Sequence, residues 1–146
     1  MMKYAFYPGC VSRGAAPELY DTTVKVCSRL GIQLEFDVMR RASCTGAGIL
    51  QEKNLKLGDT LNARTFALAE KTGLPLMTIC STCQGVMSQA NKRLKDDSQY
   101  LEQINSQLAE EGLEYKGTAE PRHLLWILIE EVGVENLKKY VVQPLS

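Results

Sequence analysis

Residues 3–7 read Lys-Tyr-Ala-Phe-Tyr, an aromatic-rich run stopped by Pro8-Gly9, and this predicts a strand that ends in a turn. Downstream, Leu19, Val24, Val26, Cys27 and Leu30 recur at helical spacing, so a helix is expected over about 15–30, closed by Gly31 at a C-cap position. Residues 32–38 alternate apolar and polar side chains, the period-two pattern of a strand. Residues 40–48 are polar and contain glycine, which predicts a loop. Asp59 or Thr60 can cap a helix through Leu61, Phe66, Ala67 and Leu68 to Gly73, and residues 74–79 form an apolar strand closed by Cys80.

Beyond Cys83 the pattern is helical, with candidates over 86–94, 99–110 and 121–132. The last carries the dense apolar run Leu124-Leu125-Trp126-Ile127-Leu128-Ile129, and Trp126 is assigned to the core. Residues 113–116 are a further candidate strand. Strand, helix, strand, helix, strand in this order predicts an α/β fold, with a mainly parallel sheet flanked by helices. One domain over 1–146 is expected, since no repeat, low-complexity tract or linker divides the chain.

Composition narrows the function. With 146 residues and 45% apolar content, the chain can bury a sizeable core and is too apolar for wholesale disorder. Seventeen Lys and Arg balance seventeen Asp and Glu, for zero formal net charge. This argues against nucleic-acid binding, which draws on an excess of Lys and Arg. No apolar run approaches the roughly 18–20 residues of a membrane-spanning helix. The start, Met1-Met2-Lys3-Tyr4, lacks the apolar stretch of a secretory signal, so a cytoplasmic location without a transmembrane segment is expected.

Five cysteines accompany one histidine, His123. An odd count without an export signal is a poor match to a disulfide framework, and one histidine leaves little room for a His-based site. The candidate chemistry is therefore sulfur chemistry. Cys10 follows the first strand, Cys44 lies in the loop after the second, and Cys80 ends the third. Cys83 completes Cys80-Ser81-Thr82-Cys83, which enters the next helix. The carboxyl ends of parallel strands share one edge, where ligands bind, so these four thiols are expected to converge there. Cys27, mid-helix on an apolar face, reads as a buried structural thiol.

Four convergent thiolates suit an iron–sulfur cluster or zinc, and a CxxC at a helix N-terminus also suits a redox dithiol. A dithiol leaves Cys10 and Cys44 without a role. Zinc sites usually bring two close pairs, whereas this chain has one pair and two single cysteines. Iron–sulfur leads, with zinc as the alternative. Around the cysteines, Gly9, Gly46 and Gly48 either bring backbone close to a cluster or only permit turns. Tyr7 and His123 read as structural, and Arg40 and Arg41 as a solvated loop.

Tyr7-Pro8-Gly9-Cys10, the Cys44 loop, the CxxC and His123-Leu124-Leu125 together resemble the cysteine-rich CCG domain. That domain occurs, usually twice per chain, in one of the subunits of heterodisulfide reductase. Similar domains occur in an unusual succinate dehydrogenase subunit, in glycolate oxidase and lactate-utilisation iron–sulfur subunits, and in reductase-like proteins of sulfur oxidation. The resemblance implies an iron–sulfur redox module of an oxidoreductase, passing electrons to a disulfide, thiol-bound sulfur or quinone-linked acceptor within a larger complex. It implies flavin or ferredoxin-like iron–sulfur subunits as partners, with any membrane contact running through them. It also implies that this chain corresponds to one half of a two-domain protein. The competing expectation is a non-catalytic assembly domain that binds zinc or no metal.

By the same resemblance, five cysteines hold a noncubane assembly of two fused clusters. Cys10, Cys80 and Cys83 match that pattern, but Ser43-Cys44-Thr45-Gly46 stands where the family has Cys-Cys-Gly. Either Ser43 replaces the first cysteine, preserving the spacing to Cys80, or Thr45 replaces the second, preserving the adjacent glycine. The spacing to Cys80 favours Ser43 as the stand-in for the fifth ligand, with Thr45 pointing elsewhere on the loop. Both alignments leave four thiolates, Cys10, Cys44, Cys80 and Cys83. A conventional 4Fe–4S cluster or zinc then competes with the noncubane centre, because a hydroxyl is a harder ligand than a thiolate.

Overall fold

The structure, a computed structural model, describes residues 2–145. Its centre is a four-stranded, all-parallel sheet in the order β2-β1-β3-β4, built from β1 (Lys3–Tyr7), β2 (Gln33–Glu35), β3 (Leu76–Thr78) and β4 (Pro121–His123). In register, Ala5 lies opposite Glu35 and Leu76, and Thr78 lies opposite Tyr7 and His123. The α/β architecture is the one expected.

Both faces of the sheet are covered, as a parallel sheet requires. The β1 alternation divides the core: Ala5 and Tyr7 face one apolar cluster, Tyr4 and Phe6 the other. The first cluster includes Phe66 of α4 (Leu55–Thr72), Met87 of α5 (Ser81–Asp96) and Ile104 of α6 (Ser98–Leu108). The second takes Cys27 of α2 (Pro17–Arg29) and Leu124 and Ile127 of α7 (Leu124–Ile127). Two five-residue helices, α1 (Cys10–Gly14) and α3 (Ile49–Lys53), sit at the loop end of the sheet, and α8 (Val134–Lys138) follows a π-helical turn at Leu128–Gly133.

Four expectations need correction. Helix α4 begins at Leu55, capped by Asn54, whose side chain accepts from the Leu57 N–H at 3.1 Å. Asp59 is therefore no cap: it lies inside the helix, 1% exposed, and binds Arg93 and Tyr100. Residues 113–116 form no strand. Asn105 accepts from the Tyr115 N–H and donates to the Tyr115 carbonyl, both at 2.9 Å, so a side chain replaces the ladder there. The expected helix over 121–132 instead opens with β4, whose proline heads an edge strand, where a missing N–H is tolerated. Finally, Leu124 and Ile127 turn inward while Leu125, Trp126 and Ile129 face outward, so Trp126 is half exposed at 50% and outside the core.

Candidate functional site

The site follows from strand order. Because β1 and β3 are neighbours, the residues just past their ends are neighbours too. Cys10 starts α1 directly after β1, and Cys80 caps α5 directly after β3. The Cys80 sulfur accepts from the Cys83 N–H at 3.3 Å, so the cap is itself a thiol at the positive end of a 16-residue helix. Gly9 joins the two ends. At φ +81°, it lies where a Cβ would come within 3.4 Å of both Cys80 Cβ and Cys83 Sγ. Its close approach to the CxxC and its backbone conformation both call for glycine.

Cys44 arrives on the loop after a 3-10 turn at Met39–Arg41. Tyr7 ties that loop to β1 by donating from its phenol to the Ser43 carbonyl at 2.8 Å. Burial, then the neighbouring thiols of Cys83, Cys44, Cys10 and Cys80, push the Tyr7 phenol far above its ordinary range. Cys83 is buried, and its thiol is pushed up to about 12 by burial first and then by Cys80. Cys10 and Cys44 are exposed; with Tyr7, Arg13, Met39 and Ser43 they line a cavity of about 90 Å³. A larger groove of about 610 Å³, lined by Lys3, Ser28 and Gly31 among others, contains none of the thiols.

Helix α4 fixes the cysteine loop from behind. Asn62 Nδ2 donates to the Thr45 carbonyl at 3.0 Å, and Arg64 Nη1 donates to the Arg41 carbonyl and to Ser43 Oγ, the latter at 3.3 Å. Arg64 is itself oriented by Glu111, whose two carboxylate oxygens each accept from its Nε at 2.9 Å. Gly46 lies at φ +75°, where a Cβ would meet Leu50 Cδ1 at 2.8 Å, and its N–H donates to Cys44 Sγ at 3.5 Å. Asn62 and Arg64 escape a reading of the sequence. Only Asn62 leaves a trace, as a polar residue next to the apolar stripe of Ala63, Phe66 and Ala67.

The two hydroxyls beside Cys44 point opposite to expectation. Ser43 gives its side chain to Arg64, whereas Thr45 is buried and its Oγ1 stands 3.9 Å from Cys83 Sγ. The cause is tertiary: Asn62 and Leu50 act on the backbone that follows Thr45, and Arg64 draws Ser43 away. His123 caps α7, its Nδ1 accepting from the Leu125 N–H at 3.1 Å. The ring proton then sits on Nε2, 3.4 Å from Ser81 Oγ of the CxxC. Arg40 and Arg41 are exposed, and Gly48 serves a turn with nothing within 4 Å of a Cβ placed there.

Cys27 stands apart. It is fully buried against the other sheet face, in the cluster of Tyr4, Phe6 and Met77, where burial pushes its thiol up to about 11. Cys27→Ala is expected to leave metal content unchanged and to cost about 1 kcal/mol in chemical denaturation, the scale of a small cavity. Loss of bound metal from a folded Cys27→Ala protein would place it in the site after all.

The donor set fits an iron–sulfur group: four cysteines from separate loops and helix ends, with the Cys83 and Gly46 N–H groups already directed at two of their sulfurs. Among the described residues, no group of three or more His, Cys, Asp or Glu side chains gathers as a single-ion site. No helix among them is long and apolar enough to cross a membrane.

Residues 4–88, which carry all four site cysteines, match the family model described as a cysteine-rich domain, CCG. The chain is 32% identical over 146 residues to a subunit of the ferredoxin/F(420)H(2)-dependent CoB-CoM heterodisulfide reductase of Methanosarcina acetivorans, covering all of this chain and 48% of that protein. It is 40% identical over 144 residues to the 8-methylmenaquinol:fumarate reductase membrane anchor subunit of Wolinella succinogenes, covering 99% of this chain and 49% of that protein. A heterodisulfide reductase subunit-like protein of Archaeoglobus profundus is 30% identical over 146 residues, again with 48% of its length covered. The chain spans about half the length of the curated relatives it matches.

Proposed function

The chain belongs to the cysteine-rich CCG domain family, and on that premise we propose that it is an iron–sulfur redox module of a heterodisulfide reductase-like oxidoreductase. The observation that carries this reading is where the strand ends meet the cysteine loop: Cys10 and Cys44 line one cavity with Tyr7, the Cys80 sulfur accepts from the Cys83 N–H, and Gly9 lies against both Cys80 and Cys83. Cys10, Cys44, Cys80 and Cys83 would hold the cluster. When bound, the cluster supplies storage and transfer of single electrons. The chain's own residues do the rest: α5 presents two sulfurs at its N-terminus, Gly9 lets the first strand end approach them, and α4 holds the Cys44 loop in register. The exposure of Cys10 and Cys44 leaves one side of the centre open to a partner or substrate.

The relatives named for heterodisulfide reduction support a disulfide or thiol-bound sulfur as acceptor, and the one named for 8-methylmenaquinol supports a quinone-linked one. These names also support work inside a multi-subunit complex. Flavin or ferredoxin-like iron–sulfur subunits are the partners proposed, with membrane contact running through them. A second module of the same kind would complete the length of the relatives.

Metal analysis after anaerobic purification tests the proposal. Iron together with acid-labile sulfide is the expected result. Stoichiometric zinc without sulfide, or no metal after reconstitution with iron and sulfide, would overturn it in favour of an assembly domain.

A further inference from the structure

Two hydroxyl side chains flank Cys44, and the fold treats them oppositely. We propose that Thr45, and not Ser43, belongs to the centre: its hydroxyl faces the buried Cys83 sulfur at the position a further sulfur ligand would take. The inference deepens the iron–sulfur reading and rests on it for the identity of the metal, but not for the geometry.

Thr45 is 2% exposed, and its Oγ1 lies 3.9 Å from Cys83 Sγ. Two contacts fix the backbone that leaves it. Asn62 holds its carbonyl at 3.0 Å, and the next residue, Gly46, is locked at φ +75° against Leu50. Ser43 has both oxygens engaged by the scaffold, its carbonyl by Tyr7 and its hydroxyl by Arg64. It lines the cavity shared by Cys10 and Cys44, yet its hydroxyl is bonded to a guanidinium, and a cation there repels a metal ion competing for the same oxygen.

Four thiolates complete one conventional cluster. Against that set the Thr45 hydroxyl, a hard and neutral group, acts as a hydrogen-bond donor to the Cys83 sulfur, and such bonds are among the levers on cluster potential. A thiol at the same place would be a fifth soft donor. The position therefore decides whether this chain stops at a four-thiolate centre.

The test compares Thr45→Cys with Ser43→Cys in the full chain, in two arms. After anaerobic reconstitution, Thr45→Cys is expected to raise iron and acid-labile sulfide per chain above wild type and to change the electron paramagnetic resonance spectrum, while Ser43→Cys does neither. In the second arm the metal-free chain carries Cys80→Ser, which removes the competing CxxC pair, and is treated with diamide. The introduced thiol at position 45 is expected to form a disulfide with Cys83, found by peptide mass mapping, and the one at position 43 is not. Gains confined to Ser43→Cys, or no disulfide from position 45, would overturn the proposal. If the wild type binds no iron and sulfide, the redox-module reading fails, and the disulfide arm still decides the geometry.

Discussion

Cys83→Ser is expected to strip the reconstituted protein of its iron and sulfide, and to do so more completely than Cys10→Ser. The difference lies in what can replace the lost sulfur. Cys83 is buried, with the Cys80 cap, Gly9 and Thr45 against it, so neither water nor an added thiol reaches the vacated position. Cys10 and Cys44 are exposed, and an exogenous thiol can fill in for either. Loss of an outer-shell partner of a ligand alone costs about 10–100-fold in metal affinity, so removal of the enclosed ligand should exceed that range. The measurement is iron and sulfide per chain, with far-UV circular dichroism to confirm the fold and Cys27→Ala as the control. Cys83→Ser protein with wild-type iron, or Cys10→Ser protein as empty as Cys83→Ser, would show that Cys83 is not the enclosed ligand.

The positions of Cys10 and Cys80 beside each other were legible in the sequence because they depend on little: each directly follows a strand, and parallel strands end on one edge. The fourth strand was not legible. Residues 121–123 are too short for a period-two signal, begin with proline, and run straight into an apolar stretch with helical spacing. That same stretch misled the reading of Trp126. An unbroken apolar run does not say which side faces the sheet, and only the packing of Leu124 and Ile127 settles it. The directions of Ser43 and Thr45 lie deeper still. Residue spacing counts positions along the loop, whereas Arg64 and Asn62, on a helix about twenty positions further on, decide which hydroxyl turns inward.

Asp59, expected from the sequence as a helix cap, lies instead inside α4 as a buried charge, and that charge sets the largest expected stability effect. Its carboxylate is 1% exposed and accepts from Arg93 at 2.7 and 2.9 Å and from the Tyr100 phenol at 2.9 Å. These bonds join α4, α5 and α6 at one point. Hydrogen bonding to Asp59 in turn holds the Arg93 guanidinium more firmly protonated than usual. Arg93→Ala would leave a buried carboxylate with the Tyr100 phenol as its remaining side-chain donor among the described residues, and breaking such a pair from one side costs about 3–5 kcal/mol. With roughly 3 °C per kcal/mol for a chain of this size, a fall in Tm of about 9–15 °C is expected. Arg93→Lys should recover only part of it, since a point charge cannot reproduce the two-pronged contact. Replacing both partners by leucine should recover more, because an apolar pair leaves no charge to solvate. The bond lies outside the cysteine site, yet α5 carries the CxxC at its start and α4 carries the residues that hold the Cys44 loop. Below the transition, Arg93→Ala should therefore keep its iron per folded chain while melting early. A melting temperature within about 2 °C of wild type, under 1 kcal/mol on the same scale, would mean that the carboxylate is solvated and the three helices do not depend on it.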